Sequence, residues 1–213
     1  MTSGKARRWL LALLASLPAT APCAAPELDA LLARIARPPP ERTAFVEWRQ
    51  SALLAAPVRV AGELEYRGPG ALSRRVDAPW RETTTLEGDR VTVEREGERT
   101  RRFSLRRAPE LRVLLGGFAA LLAGDRAALE RAFEVRLDAN GADWRLTLVP
   151  RDAALRRQLA SLVVEGRDAA PRCFLSTEAD GDQSLMRVGA AAAWTDPPDA
   201  DLAALAARCT TAD

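Results

Sequence analysis

The stretch PVRVAGELEYRGPGALSRRV, residues 57–76, constrains the fold more than any other part of the chain. Val58, Val60, Leu64 and Tyr66 alternate with Arg59, Glu63, Glu65 and Arg67, which is the period of a strand with one dry and one wet face. The GPG triplet then supplies a turn, because glycine takes a positive φ freely and proline pre-sets its own. Beyond it Leu72, Arg74 and Val76 share a face. The reading is an antiparallel hairpin, and such a hairpin must bury its apolar face against something else.

The same grammar recurs. TAFVEWRQ, WRETTTLE, RVTVERE and RTRRFSL read as strands, and the last three are joined at GD and GE turns. FEVRL turns at DANG into DWRLTLVP, and SLVVEG, RCFLSTEA and QSLMRVG follow. Roughly eleven strands result, at the spacing expected of a barrel or sandwich. Helical spacing intervenes in five places. Leu28, Leu31, Leu32 and Ile35 form one apolar face before the prolines 38–40. In PELRVLLGGFAALLAGD, residues Leu111, Leu114, Leu115, Phe118, Leu121 and Leu122 recur at i, i+3, i+4, i+7 around the central pair Gly116 and Gly117. DRAALERA continues as a helix with Asp125 as its N-cap. RDAALRRQLA reads as a short helix, and the tail TDPPDADLAALAARC ends as another.

The amino terminus has the form of a secretory signal: Lys5, Arg7 and Arg8, then the apolar WLLALLASLPATA, then small residues. It is shorter than the about 20 apolar residues of a membrane span. Residues 1–24 are therefore assigned to a signal peptide and 25–213 to a single exported domain. Cys23 admits two readings, removal by ordinary cleavage or lipidation as a lipoprotein cysteine. Either way Cys173 and Cys209 remain, and export permits a disulfide between them; the alternative is two unrelated buried thiols.

Charge and composition narrow the function classes. Thirty-one basic against 29 acidic residues leave +2, without the clustered charge of a nucleic-acid footprint. Arg99, Arg101, Arg102, Arg106 and Arg107 read as a solvated strand face, with a patch for anionic lipid headgroups as the alternative. There is no histidine, which removes the Ser-His-Asp and Cys-His constellations and the common zinc sites. No phosphate-binding or dinucleotide fingerprint occurs. Glu63, Glu65, Glu94 and Glu96 fall on wet strand faces, and DANGAD and DGD are hairpin turns rather than calcium loops. Neither an enzyme, a metal site nor a cofactor is expected. A large sheet with one apolar face and movable apolar helices leaves two outcomes, a filled core or a cavity for a hydrophobic ligand.

The order of segments resembles a known family. An export signal, a helix, AFVEW, GELEYRGPGALSRRV, EGDRV, a mid-chain helix, FEVRL, WRLTLVPRD, LVVEG and DGDQS together resemble the LolA-like outer-membrane lipoprotein carriers. The likeness is to the divergent branch associated with aryl-polyene and xanthomonadin-type gene clusters. It implies an α+β fold, an unclosed antiparallel half-barrel of about eleven strands with helices covering the concave face. It implies a monomeric periplasmic carrier, or chaperone, for a lipid or acylated cargo, which is a lipoprotein or a polyene-type lipid. The partners it implies are an inner-membrane transporter and an outer-membrane acceptor. Two other roles of the same fold are an outer-membrane-anchored LolB-like acceptor and a non-transport structural or sensory domain.

On this resemblance the cavity is lined by Val58, Val60, Leu64, Tyr66, Val91, Val93, Phe103, Trp144, Leu146 and Leu148 from the strands. Leu114, Leu115, Phe118 and Leu121 come from the helix that serves as lid. The family's F-x-Q near the first strand is matched by Phe45, Val46 and Glu47, so glutamate stands where glutamine is usual. The family's lid-tying arginine immediately before the hairpin proline is replaced by Gly68 before Pro69. Arg67, one residue away, points to the opposite face.

Overall fold

The computed structural model describes residues 24–107, 109–197 and 200–211; the expected signal segment lies, apart from Ala24, outside them. Eleven strands form one sheet: β1 (Glu41–Gln50), β2 (Val58–Gly68), β3 (Ala71–Ala78), β4 (Glu82–Glu87), β5 (Arg90–Arg95), β6 (Arg101–Ser104), β7 (Phe133–Asn140), β8 (Asp143–Pro150), β9 (Leu159–Arg167), β10 (Ala170–Glu178) and β11 (Gln183–Val188). Their order is β6-β5-β4-β3-β2-β1-β11-β10-β9-β8-β7, antiparallel throughout. Two meanders are thus joined through the first and last strands, and the sheet stays open at β6 and β7. Both edges discourage further pairing. β6 is four residues long and carries exposed Arg101 and Arg102, and β7 exposes Glu134, Arg136 and Asp138.

This topology explains why helices cover one face. The chain leaves β6 at one edge and must re-enter at β7 on the other. α2 (Pro109–Ala123) and α3 (Arg126–Ala132) make that crossing, and α1 (Ala24–Ile35) packs beside them. The Asp125 carboxylate caps α3 by accepting from Ala128 N–H at 2.9 Å. Leu31, Leu32 and Ile35 of α1, Leu121 of α2 and Leu129 of α3 close over Trp144, Leu146, Leu148, Leu162 and Val164 of β8 and β9. The two central glycines of α2 have different reasons. A Cβ on Gly117 would meet Phe133 Cε2 at 2.2 Å, so its absence lets α2 lie on the start of β7, whereas a Cβ on Gly116 would meet nothing within 4 Å.

The carboxy-terminal segment goes to the convex face. A 3-10 turn, Gly189–Ala193, and α5 (Leu202–Thr211) lie over β1, β9, β10 and β11, where Leu185, Leu202 and Leu205 form a second core with Trp48 and Trp194. The expected Cys173–Cys209 disulfide is formed, tying α5 to β10 across 36 residues of chain. Between Trp48 and Trp194 lies Arg187, wholly buried, with its guanidinium 5.0 and 5.2 Å from the two ring centroids. It donates to both oxygens of Asp196 at 2.8 Å and to the Leu205 carbonyl at 2.8 Å.

Candidate ligand groove

Strand register places the concave face unambiguously. Leu146 lies opposite Val164, then Phe174, Met186, Glu47 and Val60 on successive strands. Tyr66 lies opposite Leu72, then Leu86, Val91 and Phe103. Directly paired residues share a face, so all ten strand residues expected to line the cavity face the same side.

They do not share one environment. Trp144, Leu146, Leu148 and Leu121 are sealed beneath the helices in a filled core, while Phe103 is exposed at the edge. Val60, Tyr66 and Val91 are buried. Val58, Leu64, Val93, Leu115 and Phe118 are half-buried, and Leu114 falls among the side chains outside the described residues. The strand pattern had not singled out Trp80, Phe174 and Met186, which join the half-buried set. Phe118 of α2 meets Phe174 with centroids 6.0 Å apart. The concave face is therefore divided. Its β7–β9 side is packed by α1, α2 and α3, and the rest, from β10 and β11 across to β6, is a groove with partly exposed apolar walls.

α2 bridges the two halves. Leu121 sits in the filled core, and Leu115 packs on Leu72, Leu86, Val91 and Leu105 of the other wing. The cavity under that end of α2 is only about 110 Å³, lined by Leu72, Leu86, Leu105, Leu115, Gly116 and Ala119 among others. Drug-sized ligands occupy roughly 300–1,000 Å³, so a lipid-sized guest fits under that end only if α2 moves.

A cluster of charges occupies the groove floor. Glu47, only 5 % exposed, accepts two hydrogen bonds from Arg49 at 3.0 Å each, one from Arg74 Nη2 at 2.5 Å and one from Ser184 Oγ at 2.7 Å. The Arg74 guanidinium lies 4.8 Å from the Phe45 ring centroid. Burial alone pushes the Glu47 carboxyl up, but Arg49, Arg74 and Ser184 together outweigh it and hold the group below its ordinary 4.5. A second pair on the same face, Arg95 with Glu82 at 2.8 Å, stacks over Trp80 at 5.1 Å. Among the described residues no group of three or more acidic or cysteine side chains is placed to hold a metal ion.

The Glu47 cluster carries a pH signature. A depressed carboxyl stabilises the fold fully above 4.5, and that contribution is lost as pH falls through the lower folded value. Glu47→Gln should cost about 1–3 kcal/mol at pH 7, the worth of hydrogen bonds to a charged group. The cost should be smaller at pH 3, below the ordinary 4.5 of the group. Urea unfolding of both proteins at the two pH values checks this; a constant difference would deny Glu47 its charge.

Arg67 behaves as its position requires. It pairs with Glu65 and Glu87 on the wet face, and among the described residues it makes no ion pair with α2. The described residues contain no helix long and apolar enough to cross a membrane.

Similarity to solved structures accompanies this geometry. A LolA superfamily protein of Nitrosomonas europaea aligns at 13% identity and TM-score 0.41, covering 78% of this chain and 91% of its own. LprF of Mycobacterium bovis aligns at 13% identity and TM-score 0.36, covering 83% and 98%. The MucA/MucB complex structure of Pseudomonas aeruginosa aligns at 14% identity and TM-score 0.38, covering 76% of this chain and 55% of that one. No curated protein sequence matches. The sequence profile described as "Outer membrane lipoprotein carrier protein LolA-like" matches residues 19–212, nearly the whole chain, and with it the chain belongs to the LolA-like family.

Proposed function

We propose that the protein is a periplasmic carrier that holds the acyl chains of a lipid or acylated cargo in the open half of its concave face and transfers it between membranes. The observation that carries this reading is the division of that face. The same sheet is packed to completion beneath α1, α2 and α3 yet leaves Leu64, Phe118, Phe174 and Met186 half-buried in a groove. Apolar side chains left half-wet beside a completed core are where a hydrophobic guest gains most from desolvation. α2 is the lid. Its two ends rest on different halves, and Gly116 at its centre lowers helix stability by roughly 1 kcal/mol relative to alanine with no packing in return. Oxidised Cys173–Cys209 fits an exported protein.

Hydrogen exchange tests the lid. In lipid-free protein, amides of residues 111–123 should exchange faster than those of β8 and β9, and should slow when a fatty acid is added. A helix as protected as the strands and indifferent to lipid would make α2 a fixed core element and remove the carrier mechanism.

A further inference from the structure

The groove floor has a charge that the fold has not used. Glu47 is fully engaged, with four hydrogen bonds converging on its two oxygens. Arg74 is not: among the described residues its one hydrogen bond is from Nη2 to Glu47, so Nε and Nη1 have no protein acceptor. Its side chain keeps 22% exposure. Its strand neighbours on the same face are Leu64 and Thr84, neither of them a counter-charge. Arg49, the other cation of the cluster, spends two donors on Glu47 and stands at the rim, where Glu178 feels its charge. Two devices hold the Arg74 guanidinium in place, the Glu47 carboxylate at one edge and the Phe45 ring beneath. A guanidinium fixed at one edge offers its remaining edge to an anion as a ready fork.

We propose that Arg74 is the headgroup anchor of the groove, binding the carboxylate or phosphate of an anionic amphiphile whose chain lies along Leu64, Phe174 and Met186. This rests on the carrier reading and narrows its cargo to a lipid with an accessible negative headgroup. Glu47 is a positioning residue: it sets the guanidinium's orientation and leaves Nε and Nη1 free. A charged cluster set among Phe45, Leu64, Phe174 and Met186 gains little stability over well-packed hydrophobic residues, whereas aimed at a headgroup it selects the guest.

The test is a fluorescence titration of the full mature protein with cis-parinaric acid and its methyl ester at pH 7.5. The wild type should bind the acid at least about tenfold more tightly than the ester, the scale of a hydrogen bond between charged groups. In Arg74→Gln the preference should fall to within about twofold, with an unchanged far-UV circular dichroism spectrum reporting an intact fold. Arg74→Lys should restore part of the preference. Hexadecyl phosphate should compete as the acid does, and inorganic phosphate at millimolar concentration should not. Equal binding of acid and ester, or a preference that survives Arg74→Gln, would overturn the anchor and leave the carrier standing. Displacement of the acid by inorganic phosphate would make this a free-anion site and also overturn it. Failure of both acid and ester to bind would overturn the carrier reading itself.

Discussion

Arg187→Ala should destabilise the protein by about 3–5 kcal/mol, the range for breaking a buried, hydrogen-bonded ion pair. The side chain has no exposed surface, and three of its hydrogen bonds, two to Asp196 and one to the Leu205 carbonyl, would lose their donor. Trp48 and Trp194 would lose the cation that separates them. Asp196 would keep Arg208, at 2.7 Å, so the loss should fall short of a wholly orphaned charge. The contrast is Arg42→Ala. Arg42 also pairs with carboxylates, Glu63 and Glu65, but is 62% exposed, and its removal should cost less than about 1 kcal/mol. Urea unfolding of the three non-reduced proteins measures both. Because Arg187 lies on the convex face, lipid uptake by folded Arg187→Ala should be unaltered.

Removing the disulfide should cost about as much. With 36 residues between Cys173 and Cys209, the chain-entropy relation gives about 4 kcal/mol for Cys173→Ser with Cys209→Ser. The two effects should not add. Both the disulfide and the Arg187 bond to Leu205 hold α5 on the sheet. Once α5 is released by one change, the other has less left to lose. The triple variant should therefore unfold at a higher urea concentration than additivity gives, and strict additivity would mean that the two act on separate parts of the tail.

How far the sequence carried this account depends on the kind of information needed. Strand count and hairpins were legible, because alternation and glycine turns are local signals. The concave face was legible too, since a period of two assigns every residue to a side. What lay on that side was not. Leu146 and Leu64 have the same phase, yet one is sealed under α1 and α2 and the other lines the groove, and only the tertiary path of the helices decides between them. The Glu47–Arg74 cluster left a visible trace: Arg74 stands between Leu72 and Val76 on the dry face, and Glu47 shares phase with Phe45. A charge in an apolar phase either finds a partner across the sheet or serves a ligand. Arg187 left a weaker trace, since a wet-face arginine on β11 reads as solvated until the tail is known to cross the convex face. That crossing rests on the Cys173–Cys209 bond, which was legible from cysteine parity and the expected export signal alone.

The central claim is that a lipid occupies the open half of the concave face beneath a movable α2. Photolabelling with a diazirine fatty acid, followed by peptide mapping, tests it most directly. The predicted adducts are saturable, compete with unlabelled fatty acid, and fall on β2, β10, β11 and α2, around Leu64, Phe174, Met186 and Phe118, with none on β8. Labelling that fails to saturate, or that saturates on the convex face or on the exposed loop at Leu53, would contradict it.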